Sequence, residues 1–194
     1  MEILHALLNG TAPLLMHNPQ GTMASSGDEL SVKTIPLAEQ EAAASRYLLP
    51  DGNFYVPAVA VRKALISGGI GYRIGKVGAP GVLSGAIGLL VGEFPLLDGD
   101  KRPYPGDKYS LDTRRVVLNP SRGRALGILR SRARVEVPWM LEAVFEFDSA
   151  LCSLDNVKTA LERAGRAVGL LDFRPASGGW FGKFEIKDIW TEVQ

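Results

Sequence analysis

The sequence predicts an α+β domain whose core runs strand, helix, strand, strand, helix, strand, with an antiparallel sheet. Three observations carry that prediction. Residues 139–148 alternate: Trp139, Leu141, Ala143, Phe145 and Phe147 point one way, and Glu142, Glu146 and Asp148 the other, as in a half-buried strand. Residues 154–168 place Leu154, Val157, Leu161, Ala164 and Val168 on one helical stripe, between a Ser153 N-cap and a Gly169 C-cap. Residues 57–68 open on a proline, bring Ala58, Val61 and Leu65 to one face, and end at Gly68-Gly69.

The other elements follow in chain order. Residues 3–9 read as the first strand, stopped by Asn9-Gly10. Residues 11–27 are rich in Pro, Asn, Gly and Ser and read as loop. Residues 36–46 read as a short helix, with Pro36 in its first turn. Together, residues 11–46 form an insertion after the first strand. Pro50-Asp51-Gly52 turns a hairpin between residues 47–49 and 53–56. Residues 82–94 are apolar and punctuated by glycine, and read as a buried strand with bulges. A basic, proline-containing extension covers residues 98–134, and a last strand covers residues 181–190. No repeat or second composition emerges, so the 194 residues are expected to form one domain. The order of elements is the split βαβ, or ferredoxin-like and RRM-like, arrangement.

Composition narrows the function. Hydrophobic residues make up 46% of the chain, enough for a core. No apolar run reaches membrane-spanning length, and the start has no basic, apolar, small-residue leader pattern. The single cysteine, Cys152, cannot form an internal disulfide. It fits a reducing, cytoplasmic setting as a small buried hydrophobe. With only His5 and His17 as histidines, a conventional zinc site is not expected. No phosphate-loop lysine motif, dinucleotide fingerprint or nucleophile elbow occurs, so no cofactor and no metal are expected.

Charge is unevenly placed. Residues 101–134 hold ten basic residues (Lys101, Arg102, Lys108, Arg114, Arg115, Arg122, Arg124, Arg130, Arg132, Arg134) and two acids, Asp107 and Asp112. That local +8 sits in a chain of net +1, which leaves −7 for the remainder. Such an excess is the footprint of phosphate contacts; the alternative is pairing with acids of the same chain or a neighbour. If residues 130–134 are extended, Arg130, Arg132 and Arg134 project from one face at about 6.6–6.8 Å intervals, near the phosphate spacing of an extended single strand. Guanidinium groups suit that role because their planar fork grips phosphate at two points and stacks on bases.

A second feature is the segment 169–182, Gly-Leu-Leu-Asp-Phe-Arg-Pro-Ala-Ser-Gly-Gly-Trp-Phe-Gly. Gly178 and Gly179 permit close backbone approach to a ligand, Arg174 adds charge, and Trp180 or Phe181 offers a stacking surface. The alternative is an ordinary helix-to-strand connection with its tryptophan in the core.

Four segments, in order, resemble the RAMP (repeat-associated mysterious protein) superfamily, especially the backbone subunit that polymerises along CRISPR RNA. They are Gly10-Thr-Ala-Pro-Leu-Leu; Asn53-Phe-Tyr-Val-Pro-Ala-Val-Ala-Val-Arg-Lys-Ala-Leu; the arginine-rich residues 114–134 with Val137-Pro138 and Phe145-Glu146-Phe147; and residues 165–186. A compact viral or mobile-element relative fits equally. The resemblance implies a single-stranded RNA (or DNA) partner, copies of the chain arranged head to tail, other effector-complex subunits, and no membrane. It makes residues 98–134 a thumb reaching over the strand and puts Arg62 and Lys63 near the backbone path. It implies binding without cleavage, because the first insertion lacks a clear acidic cutting loop, although Asp28 stands near that place. Two alternatives remain: an endoribonuclease using Asp28 or His17, and an assembly protein whose basic arm pairs with an acidic neighbour.

Overall fold

The computed structural model describes residues 2–19, 37–118 and 126–193. Asp28, Arg122 and Arg124 lie outside the described residues, as does Pro36.

Strand β1 (Glu2–Gly10) sends Leu4, Ala6 and Leu8 into the core. The two-residue β2 (Leu14–Leu15) follows, then helix α1 (Ala38–Ala44). Leu48 and Phe54 bridge across the expected turn, in which Gly52 adopts φ +84°, and β3 (Tyr55–Pro57) leads into α2 (Ala58–Gly68). After the small β4–β5 hairpin (Arg73–Ile74, Val77–Gly78) come α3 (Ala79–Ala86), β6 (Ile87–Leu89) and β7 (Glu93–Asp98). The long β8 (Ser110–Leu118) and β9 (Leu126–Val135) pair antiparallel from Ser110↔Arg134 to Leu118↔Leu126. Then follow β10 (Trp139–Phe147), α4 (Leu154–Arg163, widened into a π turn over Ala164–Val168) and β11 (Phe184–Val193).

The main sheet runs β11-β1-β10-β7-β3, with β6 also on β10. β1 pairs antiparallel with β10 on one side and β11 on the other. That is the expected α+β, ferredoxin-like core: the first and third core strands lie centrally, and the last closes one edge. A smaller sheet, β2-β9-β8, stands beside it.

The expected strand over residues 82–94 is corrected. Residues 82–86 are helical, with Pro80 in the first turn and Ala79, Leu83 and Ala86 buried on one face. A continuous apolar run does not distinguish a buried strand from a buried helix. The strand character is also split: β6 pairs with Phe145–Phe147 of β10, and β7 pairs with Trp139–Leu141. The last strand starts at Phe184 rather than residue 181, because Gly182 turns at φ +67° and donates its N–H to Pro13 O at 2.8 Å.

Trp139 locks the two sheets together. Its fully buried indole donates from Nε1 to Ala12 O at 2.8 Å. The ring lies where a side chain at position 10 would stand, so only glycine fits there. The segment 10–15 is thereby held so that Leu14 and Leu15 pair with Val135 and Arg134.

Candidate nucleic-acid interface

The β8–β9 ribbon carries the arginines, and strand alternation places them. Register pairs Asp112 with Arg132, and Arg114 with Arg130, so these four share one face with Arg134. Arg115, on the neighbouring position, is exposed on the opposite face.

Each arginine of the shared face meets an acid of this chain. Arg114 donates from Nη2 to Asp112 Oδ2 at 2.8 Å, and this hydrogen bond holds the guanidinium pKa above its ordinary value. Arg130 Nη1 donates to Glu41 Oε1 at 2.8 Å. Arg132 Nε lies 2.7 Å from Asp172 Oδ2, and Arg134 Nε 2.9 Å from Glu136 Oε1. The local excess of positive charge in the sequence is thus partly neutralised within the fold.

The loop between α4 and β11 folds onto this face. Gly169 leaves the helix at φ +73°. Arg174 then opens a 3₁₀ turn over Pro175–Ser177, its carbonyl accepting from Ser177 N at 2.8 Å and Gly179 N at 3.0 Å. Gly178 turns at φ +78°, and a side chain at Gly179 would strike the Phe173 carbonyl. The Arg114 guanidinium sits 4.6 Å from the Phe181 ring centre and 5.3 Å from that of Phe173; Arg134 lies 5.9 Å from Phe181. Phe181 is buried, and Trp180 stacks on it at 4.5 Å with a 29° interplanar angle. Trp180 nevertheless stays 47% exposed, so its indole is offered to solvent rather than spent in the core. The result is an aromatic shelf, Trp180 on Phe181, with Arg114 and Arg134 over the Phe181 ring; exposed aromatic rings near cations are features that single-strand binding uses.

Arg62 is engaged by the backbone of a neighbouring helix end. It donates to Ile87 O at 2.7 Å and Ser84 O at 2.6 Å, closing the C-terminal end of α3. Lys63 is exposed on α2. His17 is exposed beside the ribbon, and its backbone carbonyl accepts from the Tyr47 hydroxyl at 2.6 Å. Partial desolvation, aided by Arg132 and Arg130 against the opposing Asp172 and Glu41, pushes its pKa below the ordinary histidine value.

Glu41, Ser45, Asp172 and Phe173 complete the site and were not singled out from sequence. Glu41 lies in, and Ser45 directly after, a short alanine-rich helix, where nothing local in the sequence marks either residue as a partner of the ribbon. Asp172 and Phe173 are adjacent positions in a loop whose path only the fold defines.

The far face of the main sheet differs in kind. It carries Glu142, which meets His5 Nδ1 at 3.1 Å, Glu185, which meets Asn9, and Glu192, 3.8 Å from His5 Nε2. Glu146 lies on the same face, and His5 stacks on Trp190 at 4.9 Å. Among the described residues there is no group of three or more His, Cys, Asp or Glu placed to hold a metal ion, and no helix is long and apolar enough to cross a membrane.

The ferredoxin-like fold is shared with a chain of a solved type III-B complex. A chain of the cryo-EM structure of the type III-B Cmr-beta bound to cognate target RNA matches over 98% of this chain and 60% of its own, with a TM-score of 0.56 and 12% identity. This chain therefore spans about three-fifths of that neighbour. The crystal structure of Cmr6 from Pyrococcus furiosus matches over 96% of this chain and 99% of its own, with a TM-score of 0.47 and 11% identity. No protein-family model matches the sequence, and no curated protein does.

Proposed function

We propose that the protein is a sequence-independent single-stranded RNA-binding subunit of a CRISPR-type effector complex, acting in the cytoplasm and arranged head to tail along the strand with copies of itself. The observation that carries this reading is the exposed Trp180 stacked on Phe181, the ring over which the Arg114 and Arg134 guanidinium groups sit. A stacking surface beside cations holds any base, because every base has a π-face. The anionic far face supports the same reading: Glu142, Glu146, Glu185 and Glu192 would repel a phosphate backbone there, which leaves the ribbon side to the RNA. The fold shared with a Cmr-beta chain supports an effector-complex setting. On this reading Arg115, Arg122, Arg124 and Arg174 supply further phosphate contacts, Lys63 extends them, and Gly178 and Gly179 shape the shelf.

Purification at low salt, followed by the absorbance ratio at 260 and 280 nm before and after RNase or DNase, tests the polymer. A high ratio that falls only with RNase is expected. Light scattering with RNAs of increasing length tests the arrangement: mass should rise stepwise with length. Nucleic-acid-free protein that ignores single strands at low salt would instead favour the assembly reading, in which basic and acidic surfaces of neighbours pair.

A further inference from the structure

Arg132 is buried more deeply than a nucleic-acid contact at rest would be. It is 7% exposed, its Nε faces Asp172 Oδ2 at 2.7 Å, and its Nη1 is buried with no hydrogen-bond partner among the described residues. The pair is therefore one-sided: the carboxylate approaches one nitrogen and leaves another donor without an acceptor. A tetrahedral oxyanion with several acceptor oxygens suits a guanidinium fork better.

Asp172 is held by a backbone that ordinary residues avoid. Leu171 and Phe173, on either side, have φ +58° and +47°, the left-handed region that disfavours bulky side chains. Its N–H donates to Leu15 O at 3.2 Å, and its Oδ1 accepts from Phe173 N at 2.8 Å. Its side chain is 26% exposed, so it has a route to solvent. The surrounding charges are otherwise engaged: Asp112, across from Arg132, is held by Arg114, and Arg130 is held by Glu41. His17 stands next in line. Met16 N–H donates to Ala133 O, which puts His17 opposite Arg132.

We propose that Arg132 is a phosphodiester-binding site that Asp172 occupies as an intramolecular stand-in, and that an RNA phosphate displaces Asp172 by movement of residues 171–173. This rests on the single-stranded RNA reading and deepens it. Release relaxes the left-handed pair, and the phosphate supplies the acceptor that Nη1 lacks. The exposed His17 lines the entrance.

The test compares Asp172→Asn with the parent in titrations against a fluorescent oligouridylate over a salt series. The variant keeps the shape and removes the competing charge. It should bind several-fold more tightly at low salt, with a slope of log affinity against log salt close to the parent's, because both proteins make the same Arg132–phosphate contact once bound. A parent that binds the RNA with a variant no tighter overturns the stand-in while leaving the RNA reading intact; a parent that binds no RNA overturns both. Hydrogen exchange on the parent needs no variant. Saturating RNA should speed exchange at the Asp172 and Phe173 amides while Ser131 and Ala133 stay protected. Unchanged or slower exchange at Asp172 and Phe173 would overturn the displacement.

Discussion

Glu41 reaches across from helix α1 and accepts a hydrogen bond at 2.8 Å from the backbone N–H of Ser131 in strand β9. Two residues further along the strand, Ala133 N–H donates to Ser45 Oγ at 2.9 Å. A seven-residue helix and its C-cap thus satisfy an edge that a neighbouring strand would otherwise pair, and Glu41 and Ser45 are both buried in doing so. Unpaired buried N–H groups are costly, and open strand edges invite pairing with other chains.

Glu41→Ala is expected to destabilise the fold by about 1.5–3 kcal/mol, the range for hydrogen bonds to a charged group. Glu41→Gln retains an acceptor for Ser131 and should recover part of that loss. Urea unfolding midpoints of the two variants and the parent check this, with Ser45→Ala as a smaller loss of the same kind.

Gly10→Ala should be more damaging than a methyl group elsewhere on β1. The added carbon falls within the Trp139 ring, so the indole must shift and its bond to Ala12 O must weaken. Overpacking of this kind costs about 1–3 kcal/mol or more. The melting temperature of Gly10→Ala, set against Gly81→Ala, where the added carbon meets nothing within 4 Å, gives the comparison.

Stability should depend on pH through His17. Its folded pKa lies below the unfolded value of 6.5, so between the two values the unfolded chain binds more protons. The corresponding stability is fully present above about pH 6.5 and is lost as pH falls through that window. His17→Gln should flatten the fall in urea midpoint between pH 7.5 and 5.5 relative to the parent. An equal fall in both proteins would contradict the assignment.

Cys152 is buried, and burial pushes its thiol pKa up. Native protein should react with a thiol reagent at pH 7.5 orders of magnitude more slowly than unfolded protein, because little thiolate is present and access requires opening.

Much of the core was legible because its signals are local. Trp139 to Phe147 alternates without interruption, and Ser153, whose side chain accepts from Asn156 N, marks its helix start at the expected residue. Residues 82–86 were not, since an apolar run around Gly85 has neither a clean period of two nor of 3.6. The site divided in the same way. Arg114, Arg134 and Trp180 were visible as residue types suited to nucleic acid. Their pairing with Asp112, Glu136 and Phe181 depends on strand register and a loop closure over many residues. The burial of Arg132 against Asp172 had no sequence signal, since the two are far apart in the chain and only the folded loop brings them together.

The central claim is that the Trp180 shelf binds single-stranded RNA. Its most direct test is the affinity of parent and Trp180→Ala for a fluorescent oligouridylate at one low salt concentration. The account predicts tight binding by the parent and a loss of about 1–3 kcal/mol in the variant, the usual worth of one stacked base. Equal affinity of the two folded proteins would contradict it.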